Sequence, residues 1–180
     1  MAGHERVERK GRNIMRTATV LHAVIVIGCL AFGAGFGARA QEIPKQLRLA
    51  PGDIEFPAPA GGQTGTSGVG ALQVKVLSGD PKKAGLYTLV VKAGPNITIK
   101  PHAHPDNRVS VVVAGTFYFA YGDEFDESKL KALPAGSFYT EPPNGNHFAM
   151  TKDDGVTLYI TGTGPTGSVY VNPADDPTKR

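Results

Sequence analysis

Short runs of β-branched and aromatic residues recur along most of this 180-residue chain, and they constrain its fold more than any other feature. Apolar and polar residues alternate in several runs, as at Leu72, Val74 and Val76, which is the period of a strand with one buried face. Turn residues separate the runs at intervals of about 8–12 residues, a spacing typical of a sandwich or barrel. Strands are predicted at residues 72–77, 86–92, 97–100, 108–114, 116–121, 137–141, 156–161 and 168–171.

The sequence predicts at most one short helix. Asp126 can cap a turn that runs through residues 127 to 131, because a side-chain oxygen at this position can accept a hydrogen bond from a free backbone N–H. Apolar residues make up 41% of the chain, which is enough for a packed core. We therefore expect a single all-β domain.

The N-terminal segment has the order of a signal peptide. Basic residues up to Arg16 precede an uncharged stretch over residues 17–38, and the small residues Ala38 and Ala40 follow. The sequence therefore predicts cleavage after Ala40 and a periplasmic or secreted protein. An uncleaved anchor is the alternative, since the stretch approaches the ~20 residues that span a bilayer. Lipidation at Cys29, which follows a short apolar run, is a further alternative.

The predicted organisation is a signal peptide over residues 1–40, an N-terminal arm over 41–70, a β-barrel domain over 71–172 and a tail over 173–180. After residue 40 there are 13 Lys and Arg against 14 Asp and Glu. Nucleic-acid binding is not expected, because it needs clustered positive charge. Membrane association is not expected after cleavage. Cys29 is the one cysteine, so the mature chain has no disulfide, thiolate metal site or cysteine nucleophile.

Three histidines remain after residue 40: His102, His104 and His147. If the strand from residue 97 continues far enough, His102 and His104 project from the same face, because side chains alternate along a strand. His147 follows a turn that contains two prolines. Three neutral imidazoles with an open position suit a catalytic divalent metal, whereas isolated histidines are ordinarily surface or hydrogen-bonded residues.

The spacing of these residues resembles the two motifs of the cupin superfamily. The first motif has His-x-His, a glutamate and a closing glycine, matched here by His102, His104 and Gly115. The second motif has a glycine, a proline turn and a histidine, matched by Gly136, Pro142 and His147, with the turn glycine displaced by one position. The resemblance covers residues 72 to 171.

The resemblance implies a jelly-roll barrel, also called a double-stranded β-helix, in the class of small β-barrels. It also implies a divalent transition metal, iron, manganese or zinc, on His102, His104 and His147. A small-molecule ligand or substrate is then the expected partner, and a homodimer is possible by analogy with other cupins.

Arg108 occupies the place of the glutamate in the first motif, and a guanidinium cannot bind a cation. Three outcomes follow. The metal keeps the three histidines alone, and Arg108 receives an anionic substrate in a strongly electropositive site. Alternatively, Glu141 or Asp106 supplies the missing carboxylate, although each is expected to be a solvated loop residue. In the third outcome, Arg108 points away and pairs with a surface acid.

The aromatic residues are expected mainly in the core, with Phe117, Phe119 and Tyr121 on one strand face and Tyr118 on the other. Tyr118 or Tyr139 is a candidate to offer a phenol to the substrate. The leading functional hypothesis is an exported metalloenzyme, with a three-histidine dioxygenase first and lyase or isomerase chemistry open. The substrate would be small and anionic or enolisable. The alternative is a non-catalytic module that binds or senses a small ligand, with a structural metal or none.

Overall fold

The computed structural model describes residues 46–179. The predicted signal peptide, its cleavage point and Cys29 lie outside these residues and stay predictions. In the described part, no helix is both long and apolar enough to cross a membrane. Residues 46–179 contain nine antiparallel strands: β1 (Leu72–Ser78), β2 (Gly85–Ala93), β3 (Thr98–Ala103), β4 (Arg108–Tyr121), β5 (Lys131–Pro134), β6 (Phe138–Glu141), β7 (His147–Met150), β8 (Val156–Gly164) and β9 (Val169–Tyr170).

The long strand β4 belongs to both walls of the barrel. Its first half pairs with β6 on one side and β8 on the other, and β8 continues through β2 to β1. Its second half pairs with β5 and β7, and β7 continues through β3 to β9. The strand order β1-β2-β8-β4-β7-β3-β9 therefore curls one antiparallel sheet around a single interior, and the predicted all-β jelly-roll fold is confirmed.

The sequence predicted two strands where the structure has the single strand β4. Its pairing with β8 shifts between Val112 and Ala114, and Gly115 then adopts a φ of 71°. A side chain at Gly115 would bring its Cβ to 2.2 Å from the carbonyl oxygen of Gly155. The glycine thus lets β4 bend from one wall to the other without ending. Strands β5 and β7 were missed, because neither contains a β-branched residue.

In the described residues, the only helices are four single 3-10 turns: Pro51–Asp53, Glu127–Lys129, Pro173–Asp175 and Pro177–Lys179. The second is the turn predicted after Asp126, whose side chain accepts a hydrogen bond from the backbone of Ser128. The hydrophobic core lies inside the barrel and includes Leu89, Val112, Phe117 and Phe119. Polar residues at one end of this interior form the candidate site.

Candidate metal centre

The three histidines come from neighbouring strands and meet inside the barrel. His102 lies near the end of β3, and its register partner is His147, the first residue of β7. His104 follows β3 directly, so it points the same way as His102. All three are buried, and one ring nitrogen from each lies within 4.8 Å of the others. The histidines can therefore hold a metal ion together.

Each imidazole is oriented by a backbone carbonyl. The Nδ1 atoms of His102, His104 and His147 lie 2.8, 2.6 and 2.9 Å from the carbonyl oxygens of Lys100, Gly167 and Gly145, in that order. A carbonyl oxygen only accepts, so each Nδ1 carries the hydrogen and donates it. The lone pair of each neutral ring then lies on Nε2, as a metal ligand requires.

Burial also keeps two of these rings neutral. The pKa of His102 falls to about 3, mainly through burial and next through the neighbouring His147. The pKa of His104 is held well below its usual range by burial and then by the positive charge of Arg108. Because only the neutral imidazole can bind a metal, both shifts favour ligation over protonation.

Glu141 supplies a carboxylate beside the histidines. It ends β6, and its Oε2 lies 3.6 Å from Nε2 of His104 and 3.9 Å from Nε2 of His147. The expectation that Glu141 and Asp106 are solvated is wrong, since they are only 5% and 6% exposed; Asp106 does lie in a loop, between β3 and β4, whereas Glu141 lies in a strand. Glu141 is the register partner of Arg108. A carboxylate from β6 thus stands beside the position where the first motif would place one on β4.

Arg108 points inward and is 1% exposed. Its Nε donates to Asp106 Oδ1 at 3.3 Å, and its Nη1 donates to Glu141 Oε2 at 3.4 Å and to the carbonyl oxygen of Gly65 at 3.1 Å. Its Nη2 donates to the hydroxyl of Thr166. The third outcome, in which Arg108 points away and pairs with a surface acid, is therefore wrong. An arginine side chain has five N–H hydrogens, and four of those on Arg108 already have acceptors.

The charges around Arg108 differ from the strongly positive site expected from the sequence. Two buried carboxylates, Asp106 and Glu141, contact one guanidinium. Asp106 also accepts a hydrogen bond from Tyr87 Oη at 2.6 Å, and burial, with this contact, raises the pKa of Tyr87 to about 12. Counted at their formal charges, Asp106, Glu141 and Arg108 together carry one net negative charge. This cluster therefore favours a cation.

The structure does not bring Tyr118 to the histidines. Phe117 and Phe119 line the cavity, whereas Tyr118 lies on the other face of β4, where its ring centre is 4.7 Å from Nζ of Lys152. This follows from strand alternation, since adjacent side chains project to opposite faces. Tyr139 does line the cavity. Burial, and next the charge of Glu141, raises its pKa well above 10, so its phenol keeps its proton.

The cavity beside the histidines is small and has mostly apolar walls. Its volume is about 40 Å³, which holds about three water-sized groups. Phe119 stacks on His147 at 5.4 Å between ring centres, and the remaining wall comes from aliphatic side chains of β1, β2, β3 and β8, namely Leu72, Val91, Ala93, Ile99, Val156, Leu158 and Ile160.

Two lining residues, Thr66 and Ser67, come from the segment predicted as an N-terminal arm. They were missed because the region is rich in Gly and Thr and shows no strand period. The two positive-φ glycines that flank them, Gly65 and Gly68, are the one local signal of a tight chain path. Gly65 contacts the barrel through a hydrogen bond from Arg108, which lies 43 positions later in the sequence.

Comparison with protein-family models and with curated protein sequences finds no match. Among solved structures, an RmlC-like cupin from Shewanella frigidimarina is 26% identical, with a TM-score of 0.44 over 53% of this chain and 78% of its own. The DMSP lyase DddQ from Ruegeria pomeroyi is 18% identical, with a TM-score of 0.50 over 64% of this chain and 60% of its own. A sugar phosphate isomerase of the cupin superfamily from Silicibacter pomeroyi is 18% identical, with a TM-score of 0.44 over 56% of this chain and 65% of its own.

The strands curl one antiparallel sheet into a barrel, and the two histidine motifs lie on the adjacent strands β3 and β7. The likeness to DddQ is a likeness of fold. The chain therefore has the jelly-roll barrel fold that the resemblance seen in its sequence implies.

Proposed function

We propose that this protein is an exported metalloenzyme that holds a divalent transition metal on His102, His104 and His147. Glu141 is the added carboxylate ligand. The observation that carries the proposal is the convergence of acceptors on one buried point. Three Nε2 lone pairs and the Glu141 carboxylate lie together, while each Nδ1 is committed to a backbone carbonyl. Such a set of acceptors is stabilised by a cation.

The donor set fits iron, manganese or zinc. Imidazole nitrogen and carboxylate oxygen suit these ions, and the mature sequence has no thiolate to favour a softer metal. When bound, a divalent ion polarises an oxygen donor and lowers the pKa of bound water. Lyase and isomerase reactions use this chemistry, whereas a dioxygenase reaction would need a redox-active ion such as iron or manganese.

The residues of the chain have distinct parts in the proposed reaction. The hydrogen bond from Arg108 Nη1 orients Glu141 Oε2 toward the histidines. Tyr139 retains its phenolic proton, so it can donate a hydrogen bond to a substrate oxygen. The apolar walls exclude water and strengthen each of these electrostatic contacts.

Size and charge select the substrate class. The cavity of about 40 Å³ admits a group of only a few heavy atoms. A divalent ion would change the charge of the buried cluster from one negative to one positive. A small monoanion, such as a carboxylate or an enolate, would then be favoured. Arg108 is not assigned to substrate, because Asp106, Glu141, Gly65 and Thr166 already bind it.

Elemental analysis of the untagged protein, purified without chelator, tests the metal site. We expect about one equivalent of one transition metal, lost in both His102→Ala and His147→Ala. Lys152→Ala, a change at an exposed position, is the control that should retain it. A protein that stays free of metal after incubation with Fe²⁺, Mn²⁺ and Zn²⁺ would overturn the proposal.

The small, mostly apolar cavity also supports a second candidate function, a module that binds a small ligand without converting it. Its signature is thermal stabilisation by a small carboxylate without product formation. Turnover in aerobic buffer that His104→Ala abolishes would instead favour the enzyme.

Export has a separate test. We expect the protein recovered from the periplasm or medium to begin at Gln41, as N-terminal sequencing or intact mass would determine.

A further inference from the structure

A short segment before the first strand contributes residues to the lining of the cavity. We call Gly65, Thr66 and Ser67 the strap. All three of their backbone carbonyls accept hydrogen bonds from barrel side chains. The donors, in order, are Arg108 Nη1 at 3.1 Å, the Ser168 hydroxyl, and Tyr170 Oη at 2.6 Å.

These anchors connect the strap to the metal centre. Arg108 donates to both Gly65 and Glu141, and the ring of Tyr170 stacks on His102 at 5.2 Å between centres. Gly65 is also needed for a close approach, since a Cβ there would lie 2.6 Å from Leu89 Cδ1 at a φ of +92°. The strap is therefore held in one position beside the histidines.

Ser67 brings a free hydroxyl to this cavity. The residue is 6% exposed and lines the cavity with the three histidines. Among the described residues, its Oγ makes no well-formed hydrogen bond; its near neighbour is the Tyr170 phenol, which donates to the Ser67 carbonyl. The neighbouring Thr66 differs, because its hydroxyl donates to the carbonyl of Gln63 and accepts from the N–H of Gly68. A buried hydroxyl that makes no hydrogen bond lowers the stability of the folded protein, unless a bound ligand supplies the missing hydrogen bond.

The other polar groups of the cavity offer few donors. The histidine Nε2 atoms and Glu141 are acceptors, Arg108 is already bound to four groups, and Tyr139 supplies one phenolic donor. An oxyanion seated there would need a hydrogen-bond donor for the oxygen atom that faces away from the metal.

We propose that the Ser67 hydroxyl donates a hydrogen bond to an oxyanion held at the histidine cluster, so that the strap supplies a ligand-binding residue from outside the two histidine motifs. The ligand class is a small carboxylate. This inference rests on the proposed metal site, since the oxyanion binds beside the metal. Losing one hydrogen bond to a charged group corresponds to a loss of roughly tenfold or more in affinity.

The test uses Co²⁺ as the metal and acetate as the ligand, both followed by the visible absorption of the cobalt-loaded protein. We expect Ser67→Ala to bind one equivalent of Co²⁺ as the unmodified protein does, but to bind acetate about tenfold more weakly or worse. Ser67→Thr retains a hydroxyl and should keep most of the affinity. Without metal, Ser67→Ala should unfold at the same or a slightly higher temperature, because it loses only an unpartnered polar atom.

Ser110→Ala is the matched control. Ser110 is 1% exposed and its hydroxyl also makes no well-formed hydrogen bond among the described residues, but it lies near Tyr139 and does not line the cavity. Its acetate affinity should not change.

Three outcomes would overturn the inference: unchanged acetate binding in Ser67→Ala, loss of Co²⁺ from that variant, or a cobalt-loaded protein that does not bind acetate at all. Failure of the unmodified protein to bind Co²⁺ would overturn the proposed metal site itself, and this inference with it.

Discussion

At the scale of single residues, the buried charges of Asp106, Arg108 and Glu141 distinguish this site from the pattern that its sequence resembles. The position expected to hold a carboxylate has a guanidinium, and a carboxylate stands on the adjacent strand β6. Guanidinium nitrogens of Arg108 lie within 3.4 Å of a carboxylate oxygen of each acid. A buried charge is tolerated when its partners are in place, so the three side chains form one electrostatic unit.

Glu141→Gln tests whether the carboxylate contributes to metal binding. The change keeps the shape of the side chain but removes its charge, while the three histidines remain. We expect one equivalent of metal to bind still, with affinity lowered about tenfold or more. Competition with a chromophoric chelator measures this affinity. Thr140→Ala, one residue earlier on β6, is the control, and an affinity equal to that of the unmodified protein would exclude Glu141 as a ligand.

Arg108→Met tests the electrostatic unit. The substitution leaves Asp106 and Glu141 buried without their counter-charge, so we expect a loss of about 3–5 kcal/mol in the free energy of unfolding. Urea unfolding of the metal-free protein gives this value. Lys131→Met removes an exposed cation and should change stability little. A similar small effect at Arg108 would show that the buried acids do not depend on it.

At the scale of elements, the close packing of strands β2 and β8 holds the network around Asp106 in place. Gly162 on β8 is the register partner of Tyr87. A Cβ at Gly162 would lie 2.5 Å from Tyr87 Oη and 2.7 Å from Asp106 Oδ2. The glycine thus leaves room for the hydrogen bond that positions Asp106 under Arg108.

Gly162→Ala should therefore disrupt the site through the fold. We expect a loss of about 1–3 kcal/mol in stability, because the added methyl group has no space beside a buried hydrogen bond. Thermal or urea unfolding measures the loss. Gly94→Ala is the matched control, since no atom lies within 4 Å of a Cβ at that position. Equal stability of the two variants would contradict this account of the packing.

At the scale of the whole molecule, the proposed metal joins strands that are distant in sequence. His102, His104 and Glu141 come from both walls of the barrel, and His147 follows a separate turn. A ligand that binds only the folded protein stabilises it by mass action, by about 2.7 kcal/mol at 100 times its dissociation constant.

Addition of Mn²⁺ or Zn²⁺ to the metal-free protein should raise its unfolding temperature. Differential scanning fluorimetry measures the shift, and His102→Ala should abolish it, because one of the converging nitrogens is lost. An equal shift in both proteins would mean that the ions bind elsewhere.

The amino-acid sequence by itself determined the fold class and the three histidines. Strand alternation and turn spacing are local, so they can be recognised along the chain, and the i and i+2 spacing already puts His102 and His104 on one face. The division of residues 108–121 into two predicted strands was wrong, because Gly115 permits a bend that keeps the pairing with both walls.

Only the tertiary structure decided how the rest of the site is built. The burial of Glu141 depends on β6 lying beside β4. The position of the strap depends on hydrogen bonds from Ser168 to Thr66 and from Tyr170 to Ser67, about 100 residues apart along the chain. Such contacts depend on strand order and register, which no local period encodes. The sequence shows that Arg108 stands in place of a glutamate, but only the folded barrel places Glu141 beside it.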